Sequence, residues 1–354
     1  MNAVDFFSGA GGLTIALKGA GFNVLFSNEI SEKFAKTHEY NFPDIPLVNR
    51  DIRDLQAKDL SRFTKNASVD VVVGGPPCQG FSVFGKRRFV NTKGYDPKTD
   101  PRNFLVYEYI RMVKMLKPKF FLMENVKGFT NLDHGLFVEE VKRQFQDIGY
   151  TDIWCEIVCA ADYGVPQMRH RMFMIGNRLG IKFKPPAKTH FPPDILGKKH
   201  YATVGDAILD LVGKENKVPN HVPLGHKPIV AARYAYVKEG SKLNVADLPL
   251  ELAAATRRDS KTGKVANYSH VFKRLSRDKP STTMVPGHNA FPIHPTLNRT
   301  LTAREAARIQ TFPDSHVFFG TRQEQCIQVG NAVPPKMALP FLKAIARQIH
   351  EAEA

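Results

Sequence analysis

The chain has 354 residues, an ordinary hydrophobic content of 43% and a net charge of +16, which suit a large globular core with a basic surface. No run of about 18 apolar residues is present, and MNAVDFFSGAGG carries no signal or transit peptide, so a cytoplasmic protein without a membrane span is expected. The four cysteines, Cys78, Cys155, Cys159 and Cys326, are too few for a disulfide scaffold and suit a reducing compartment.

The first half of the chain alternates short apolar runs with helical patterns. The runs NAVDFF, NVLFSN, VDVVVGG, FFLMEN and RMFMIG are typical of buried strands. Residues 103–117 carry apolar side chains at helical spacing that stops before Pro118, and a second helix is predicted from Leu136 to Ile148. This alternation predicts an α/β fold, with a parallel sheet and helices on both of its faces.

A glycine-rich turn, Phe7 to Gly12, follows the first predicted strand and opens a helix. Its glycines allow a sharp turn and a close approach of ligand, although such a turn is also common without one. Glu29 ends the next strand, where an acid can grip ribose hydroxyls in a doubly wound sheet. Asp51 could accept from an adenine amino group, the alternative being a surface carboxylate. Together these residues predict a site for a nucleoside cofactor.

Cys78 stands in GGPPCQGFS, directly after the predicted strand VDVVV. Two prolines restrict the backbone before it, and the flanking glycines let a substrate come close. These neighbours favour a thiolate nucleophile over a buried structural cysteine. Cys155 and Cys159 share one face of the strand-like IWCEIVC and are predicted to be core side chains. No His or Cys cluster completes a metal site, so no metal is predicted.

A carboxyl group and two guanidinium groups follow in the same crevice. Glu124 ends the strand FFLMEN, where a buried carboxyl can hydrogen-bond or protonate a heterocycle nitrogen. Arg169 and Arg171 alternate along an extended segment, which predicts a planar donor pair for a carbonyl, carboxylate or phosphate. A surface arginine pair is the alternative that these two positions alone leave open.

The chain from Arg178 to about Pro295 is rich in Pro, Gly, Lys and His, with weak periodicity, and is predicted to form a loop-rich second domain. Between Arg178 and Arg299 there are 21 basic and 9 acidic side chains, so most of the excess charge lies here. This concentration favours a polyanion, DNA or RNA, over a generic basic surface. Regularity returns with a short helix in TLTAREAARIQ. The final helical stretch, PPKMALPFLKAIARQIH, is predicted to pack back on the first domain, with Pro340 kinking it or setting its start.

In this order, the motifs resemble those of the cytosine-C5 DNA methyltransferases, of the bacterial restriction–modification type. The motifs that carry the resemblance are FSGAGG, GPPCQGFS, Glu124-Asn125-Val126, Gln167 with Arg169 and Arg171, the LTAREAAR helix and GNAVPP, together with Asp100-Pro101-Arg102. Six ordered motifs cover nearly the whole chain except about residues 180–268. That uncovered stretch corresponds to the variable target-recognition region of the family, and it is also where the charge is concentrated.

The resemblance implies a Rossmann-like S-adenosylmethionine-dependent domain, residues 1–178 with 325–354, and a smaller, loop-rich target-recognition domain, residues 179–324. The implied contacts with S-adenosylmethionine are Phe7, Gly9, Ala10, Gly11, Gly12, Glu29, Ile30, Asp51, Ile52, Pro77, Leu105, Asn331 and Ala332. The implied DNA contacts are Gln79, Ser82, Lys86, Arg87, Arg88, Thr282 and Thr283. The basic stretch after Cys78 is interpreted as a loop that closes on DNA, whereas the two threonines could equally form a turn.

The implied reaction moves the methyl group of S-adenosylmethionine to carbon 5 of a cytosine that has been flipped out of double-stranded DNA. Cys78 adds to C6, Glu124 stabilises or protonates N3, and Arg169 orients the base carbonyl or supports Glu124. The alternatives are the same chemistry on tRNA, a catalytically dead DNA-binding protein on this fold, and a small-molecule methyltransferase. The resemblance also allows a separately acting cognate restriction endonuclease as companion. A monomer that does not bind membranes is expected.

Overall fold

The computed structural model describes residues 1–77, 105–254, 272–285 and 291–354. The chain divides into two compact units. Unit 1 comprises Met1–Tyr163, His170–Lys188 and Ala332–Ala354, and unit 2 comprises Gly164–Arg169 and Thr189–Asn331. The predicted domains meet at 178/179 and 324/325, whereas the units meet at 188/189 and 331/332 and the short segment Gly164–Arg169 belongs to unit 2.

The strands of the described residues are β1 Asn2–Phe6, β2 Asn23–Asn28, β3 Leu47–Val48, β4 Val71–Gly74, β5 Phe120–Val126, β6 Asp152–Cys159, β7 Gln167–Met168, β8 His170–Asn177 and β9 Ser281–Thr282. Seven of them form the sheet of unit 1, in the order β3-β2-β1-β4-β5-β8-β6. All five apolar runs predicted as strands lie in this sheet. Its central strands are completely buried because neighbours and helices cover both of their faces.

One strand departs from the predicted parallel sheet. β8 runs antiparallel to both of its neighbours, β5 and β6, while β1 to β5 pair in parallel. The reason is the connection from β6 to β8, residues 160–169, which contains one short 3-10 turn and no crossover helix. Without such a crossover, the chain must come back alongside β6 in the opposite direction.

The α-helices are α1 Gly12–Gly19, α2 Glu32–Asn41, α3 Ala57–Thr64, α4 Leu105–Leu116, α5 Leu136–Asp147, α6 Val204–Ile208, α7 Pro228–Ala235, α8 Leu250–Ala254, α9 Ala303–Ile309, α10 Arg322–Asn331 and α11 Pro335–Glu353. The predicted helices before Pro118 and after Leu136 are confirmed as α4 and α5. No helix among the described residues is both long and apolar enough to cross a membrane.

The final helix packs on unit 1, as predicted. α11 begins at Pro335, where the missing backbone N–H of proline costs nothing, and it continues through Pro340. The prediction that Pro340 could set the start of this helix is therefore wrong. A Cβ on Gly19 of α1 would lie 3.2 Å from the side chain of Leu339, so the two helices pack closely along this line.

The described residues of unit 2 contain little regular structure. β7 and β9 form a two-stranded parallel ribbon, and the remaining strand-like pairs are isolated bridges. The helix predicted in TLTAREAARIQ is confirmed as α9, and it begins with a capping box in which Thr302 and Glu305 satisfy each other's backbone N–H groups. Elsewhere in unit 2, the backbone N–H and C=O groups that lie outside helices and strands need other hydrogen-bond partners.

Candidate active site

Two strands of unit 1, β1 and β4, end side by side at one edge of the sheet, and the longer neighbour β5 continues past them to Val126. In the parallel register, Phe6 of β1 pairs with Gly74 of β4, which in turn pairs with Met123 of β5. The residues that follow them are Phe7, Gly75 and Glu124. The predicted cofactor turn, the segment leading to Cys78 and the predicted catalytic carboxyl therefore start from one row, at the carboxyl edge where α/β sheets bind ligands.

The glycine turn at Phe7–Gly12 has an unusual backbone. Phe7, Gly9 and Gly11 all have positive φ angles, of 56°, 54° and 88°. A Cβ on Gly11 would lie 2.3 Å from the ring of Phe42, and one on Gly12 would lie 2.3 Å from the carbonyl oxygen of Val333. A Cβ on Gly9 would have no atom nearer than 4.0 Å. Gly11 and Gly12 are therefore required by internal packing, whereas Gly9 faces open space.

Glu29 connects the end of β2 to this turn. One carboxylate oxygen accepts from the backbone N–H of Gly9 at 2.9 Å, and the other accepts from that of Ser31 at 2.8 Å. Burial raises the pKa of Glu29, and these backbone donors oppose the rise. A carboxylate has about four acceptor sites, and the backbone N–H groups of Gly9, Ile30 and Ser31 use three of them, so Glu29 can still accept from a hydroxyl group. The neighbouring Ile30 is 61% exposed and offers an apolar surface beside the carboxylate.

Asp51 caps the short 3-10 turn at Ile52–Asp54. Its carboxylate accepts from the backbone N–H of Arg53 and pairs with the guanidinium of the same residue at 2.5 Å, which holds the pKa of Asp51 below its usual value. Ile52 is buried beneath this turn. Arg111 of α4 donates to the carbonyl oxygens of Ile52 and Leu55, at 2.8 and 2.7 Å, and so ties the turn to the helix that begins at the predicted contact Leu105.

These residues fit a nucleoside cofactor such as S-adenosylmethionine. The backbone at Gly9 leaves room, Glu29 retains acceptor capacity, and Ile30 presents an apolar face. Every predicted cofactor residue except Asn331 belongs to unit 1. Ala10 and Ile52 are buried, Phe7, Pro77, Leu105 and Ala332 are half-buried, and Asn331 is exposed at the end of α10 in unit 2.

The segment that leads to Cys78 is held by the strand that carries Glu124. A Cβ on Gly75 would lie 3.1 Å from a carboxylate oxygen of Glu124, so any larger residue here would press on the Glu124 carboxylate. Asn125 donates from its side-chain amide to the carbonyl oxygen of Pro76 at 3.0 Å. Asn125, which follows Glu124 in the sequence, therefore anchors Pro76 in the segment that leads to Cys78.

Arg171 forms a buried ion pair with Glu124, with 3.0 Å between Nε and the carboxylate oxygen. Burial lowers the pKa of Arg171, and the charge of Glu124 opposes this. Glu124 and Arg171 lie on the adjacent antiparallel strands β5 and β8, where Val126 pairs with Arg171. The side chain two positions earlier on β5 is a diagonal neighbour, and that side chain is Glu124.

Arg169, predicted to offer donors to a substrate or to support Glu124, donates to backbone carbonyl groups in the part of the chain that the structure describes. Arg169 is completely buried in unit 2, and its guanidinium donates to the carbonyl oxygens of Gly330, at 3.0 and 3.1 Å, and Met284, at 3.4 Å. The residue that supports Glu124 is Arg171. Arg169 lies between β7 and β8 rather than inside one continuous strand, so simple alternation does not place the two arginines together.

Several predicted residues lie outside the described part of the chain: Cys78, Gln79, Ser82, Lys86, Arg87 and Arg88. The two predicted DNA contacts that are described belong to unit 2. Thr282 is exposed on β9, and the hydroxyl of Thr283 donates to the carbonyl oxygen of Met168 at 2.9 Å. Cys159 is buried and Cys155 packs against the core of unit 1, as predicted, and burial raises the pKa of both thiols.

Two residues that position this site were not identified from the sequence as positioning groups. Arg111 was hidden in an amphipathic helix, where its spacing from Glu108 is typical of an ordinary i,i+3 surface pair. Asn125 was identified only as part of a motif. A polar amide at the end of a fully apolar strand is a usable signal, because a buried amide requires hydrogen-bond partners.

Comparison with known proteins gives one consistent result. The sequence profile of the family described as C-5 cytosine-specific DNA methylase matches residues 1–351. The chain is 38% identical to the type II methyltransferase M1.HphI of Haemophilus parahaemolyticus, over 97% of this chain and 86% of that protein. It is 34% identical to the type II methyltransferase M.DdeI of Desulfomicrobium norvegicum, over 98% of this chain and 88% of that protein.

Solved structures are similar over the whole length. A crystal structure assigned as a DNA modification methyltransferase encoded within a prophage (E. coli) has a TM-score of 0.74 and 27% identity, covering 99% of each chain. The structure of Spodoptera frugiperda DNMT2 has a TM-score of 0.57 and 20% identity, covering 100% of this chain and 99% of that one. The second similarity concerns the fold alone.

Proposed function

The chain belongs to the C-5 cytosine-specific DNA methylase family, and we propose that its active site consists of Cys78, Glu124 and Arg171. The chain is a DNA cytosine methyltransferase that uses S-adenosylmethionine as methyl donor. The observation that supports the proposed residues is the arrangement at the ends of β4 and β5. There Glu124, paired with Arg171, approaches Gly75, three residues before Cys78 in the sequence.

The chemistry requires an activated ring, because carbon 5 of cytosine is a weak nucleophile. The Cys78 thiolate adds to C6 while the Glu124 carboxyl donates a proton, or a hydrogen bond, to N3. The bond between Cys78 and C6 makes C5 enamine-like, and S-adenosylmethionine supplies the methyl group that C5 takes up. Loss of the C5 proton and departure of the thiolate then restore the aromatic ring and the free enzyme. The cytosine must be flipped out of the duplex, at a cost of a few kcal/mol.

Arg171 orients the Glu124 carboxyl group in this scheme. Its guanidinium contacts one carboxylate oxygen at 3.0 Å, and the other oxygen lies beside Gly75. The ion pair thereby fixes the plane in which Glu124 meets N3 of the base. Arg169 is proposed to act indirectly. Its guanidinium donates to the backbone carbonyl groups of Gly330 and Asn331, which directly precede Ala332, a predicted contact of the cofactor.

The S-adenosylmethionine site is proposed at the Phe7–Gly12 turn. Glu29 would accept from a ribose hydroxyl, Ile30 would cover one face of the adenine, and Gly9 would admit the chain that bears the sulfonium. Asp51 is held by Arg53 and, through the turn, by Arg111. Those contacts leave the Asp51 carboxylate at the surface of the turn, where it can accept from the adenine amino group.

Unit 2 is proposed as the target-recognition domain. It contains nearly all of the sequence stretch in which basic side chains outnumber acidic ones 21 to 9. The related proteins from Haemophilus and Desulfomicrobium are type II methyltransferases, which supports a role in protecting DNA from a separately acting cognate endonuclease. A monomer is the proposed state of the chain, and the cytoplasm is its proposed location.

Trapping with a fluorinated base tests the proposed nucleophile. The purified chain would be incubated with S-adenosylmethionine and a random-sequence duplex in which every cytosine carries fluorine at C5. Fluorine replaces the proton that must leave, so a covalent protein–DNA complex should accumulate and survive denaturing electrophoresis. Cys78→Ser should give none.

Two comparisons make the trapping experiment decisive. An adduct that forms equally well with Cys78→Ser would overturn the assignment of the nucleophile. Cys326→Ser is the matched control, because Cys326 is a buried cysteine of unit 2 and its replacement should leave trapping intact. Fluorinated tRNA should give no adduct, and trapping on tRNA alone would contradict the proposal of a double-stranded DNA target.

A further inference from the structure

A chain of buried polar side chains lies beneath the Phe7–Gly12 turn. Thr14 donates its hydroxyl to a carboxylate oxygen of Asp5 at 2.7 Å, and the same hydroxyl oxygen lies 3.2 Å from Nε2 of His38. All three side chains are completely buried. When Thr14 donates to Asp5, the His38 tautomer that carries its proton on Nε2 completes the series by donating to Thr14. The three groups thus form one directed chain, from His38 through Thr14 to Asp5.

This chain ties together both ends of the turn. Asp5 stands on β1 two residues before Phe7, and Thr14 stands on α1 two residues after Gly12. The hydrogen bond between them closes the base of a loop that contains three positive φ angles, one of them at Phe7. A non-glycine residue keeps such an angle only where its surroundings determine it strongly. The Asp5–Thr14 contact is one of the bonds that do so.

The third member braces the turn from the side. His38 belongs to α2, where Phe42 follows the last helical residue, and the two rings lie 4.7 Å apart. The ring of Phe42 fills the space that a Cβ on Gly11 would occupy. At the end of α2, His38 therefore contacts Thr14, and Phe42 contacts the turn at Gly11. Burial lowers the pKa of His38 to about 4, so its ring is neutral and can keep the donor at Nε2.

Packing alone does not explain why these buried side chains are polar. Among the described residues, Asp5 Oδ1, His38 Nδ1 and the hydroxyl of Ser27 have no hydrogen-bond partner, although all are buried. Ser27 is the register partner of Asp5 on the adjacent strand β2. Burying polar atoms without partners is costly, and apolar side chains of the same size would avoid that cost. A functional requirement for the hydroxyl of Thr14 accounts for the arrangement.

We propose that Asp5, Thr14 and His38 are positioning residues that hold the Phe7–Gly12 turn in the conformation that binds S-adenosylmethionine. The inference rests on the proposed assignment of this turn as the cofactor site. The three side chains act through the backbone of the turn rather than by touching the reacting atoms. Their loss should therefore weaken the binding of the cofactor and leave both the chemical step and the binding of DNA unchanged.

A matched pair of variants at position 14 tests this. Thr14→Val keeps the shape but removes the hydroxyl, and it should raise the KM for S-adenosylmethionine about tenfold, with kcat and the KM for DNA changed less than about twofold. Thr14→Ser keeps the hydroxyl and should restore the wild-type KM. At the other end of this hydrogen-bonded series, His38→Gln should keep a KM for S-adenosylmethionine near that of the wild type, because its amide can donate near the position of Nε2. His38→Phe should raise this KM as Thr14→Val does.

Two controls separate this inference from the site assignment. Thr64→Val removes another buried hydroxyl of unit 1 and should leave the KM for S-adenosylmethionine unchanged. Glu29→Ala should weaken cofactor binding if the turn is the cofactor site. If Glu29→Ala weakens binding while Thr14→Val lowers only the melting temperature, the positioning role is wrong and the site stands. If neither variant changes cofactor binding, the site assignment itself is wrong.

Discussion

Unit 1 and unit 2 satisfy their buried polar groups in different ways. In unit 1 a seven-stranded sheet pairs the backbone, and the buried Glu29 and Glu124 and the half-buried Arg171 lie at its carboxyl edge. In unit 2, by contrast, the side chains of Arg274 and Arg304 are buried and donate to backbone carbonyl oxygens, among them those of Val237, Pro313 and His316, which lie outside helices and strands. Irregular backbone leaves carbonyl groups that a sheet would have paired, and one guanidinium with five N–H donors can serve several of them.

This difference changes the meaning of the basic charge in the middle of the chain. Arg233 and Arg274 are buried, and Arg299 makes a two-pronged contact with Glu305, at 2.8 Å on each side. These side chains stabilise unit 2 and are not free to neutralise phosphates. The count of basic residues therefore overstates the surface that could bind DNA, and exposed lysines become the better candidates for that role.

The largest expected effect concerns the charged edge of unit 1. Glu124→Gln keeps the shape of the side chain but removes the proton donor, and kcat should fall by about a thousandfold. The dissociation constants for S-adenosylmethionine and for DNA should change by less than about threefold. Single-turnover methylation together with separate binding measurements checks this prediction. A similar loss in cofactor affinity would mean that Glu124 shapes the site rather than the reaction.

Removal of one structural arginine should have the next largest effect. Arg274 donates to the carbonyl oxygens of Val237, Tyr234, His294 and Leu297 and to the side chain of Asn298, at 2.6 to 2.8 Å. Arg274→Met leaves these acceptors buried without donors and should destabilise unit 2 by at least about 3 kcal/mol. Hydrogen exchange should then accelerate in residues 189–331 and stay slow in the sheet of unit 1.

The nearby Arg277 is a matched control for that prediction. Arg277 is exposed and pairs with Glu239 at the surface, so Arg277→Met should leave the unfolding midpoint unchanged. Equal destabilisation by the two variants would contradict the distinction between structural and surface arginines. Equal acceleration of exchange in both units would show that they do not unfold separately.

The buried Asp5 predicts an unusual dependence of stability on pH. Burial raises the pKa of Asp5 from 3.8 to about 7, although its bond from Thr14 opposes the rise and Glu29 adds to it. The folded state therefore holds this proton more tightly than the unfolded state, so stability is lost as pH rises from about 4 to about 7. The ionisation of His38 works in the opposite direction below about pH 6.5, because burial lowers the pKa of His38 to about 4.

Asp5→Asn isolates the contribution of the carboxyl. The amide still accepts from Thr14 but does not ionise, so the variant should gain stability relative to the wild type as pH increases, by up to about 4 kcal/mol at pH 8. Urea unfolding of both proteins at pH 5 and pH 8 measures the difference. A difference that stays constant with pH would mean that Asp5 does not change its protonation in this range.

The smallest effect is expected for exposed lysines of unit 2. Lys198 and Lys199 are exposed, in a loop closed by the bridge between Phe191 and His200. Replacing both with methionine should raise the KM for DNA several-fold and lower the log–log salt slope of DNA binding by about 2. The same change at Lys114 and Lys117, exposed at the end of α4 in unit 1, should have no effect. Equal effects of the two double variants on DNA binding would indicate a general attraction between the basic protein and DNA, rather than a binding surface on unit 2.

The sequence predicted unit 1 better than unit 2 for a physical reason. Runs such as VDVVV and FFLMEN are mostly apolar on both faces, a pattern that fits a central strand. Glu124 follows the apolar part of β5, which places its carboxyl group near the edge of the sheet. The antiparallel direction of β8 was missed because it depends on the connection after β6, not on the strand itself. The buried position of Asp5 was also missed, although a single carboxylate inside an apolar run was a usable signal.

Unit 2 gave no comparable pattern. Its core depends on arginines that contact carbonyl oxygens far away in the sequence, such as Arg304 with Pro219 and His316. From composition alone, these arginines are counted as surface charge. The different contacts of Arg169 and Arg171 were missed for a related reason. Alternation along an extended segment does not reveal that β7 ends at Met168 and that β8 begins at His170.

Bisulfite sequencing tests the central claim most directly. Plasmid DNA would be recovered from a host that lacks cytosine methylation and expresses either the wild-type chain or Cys78→Ala. We expect protected cytosines within one short recurring sequence for the wild type and none for the variant. Soluble wild-type protein that left every cytosine unprotected would exclude DNA cytosine methylation by this chain, and protection of the same sites by Cys78→Ala would exclude Cys78 as the nucleophile.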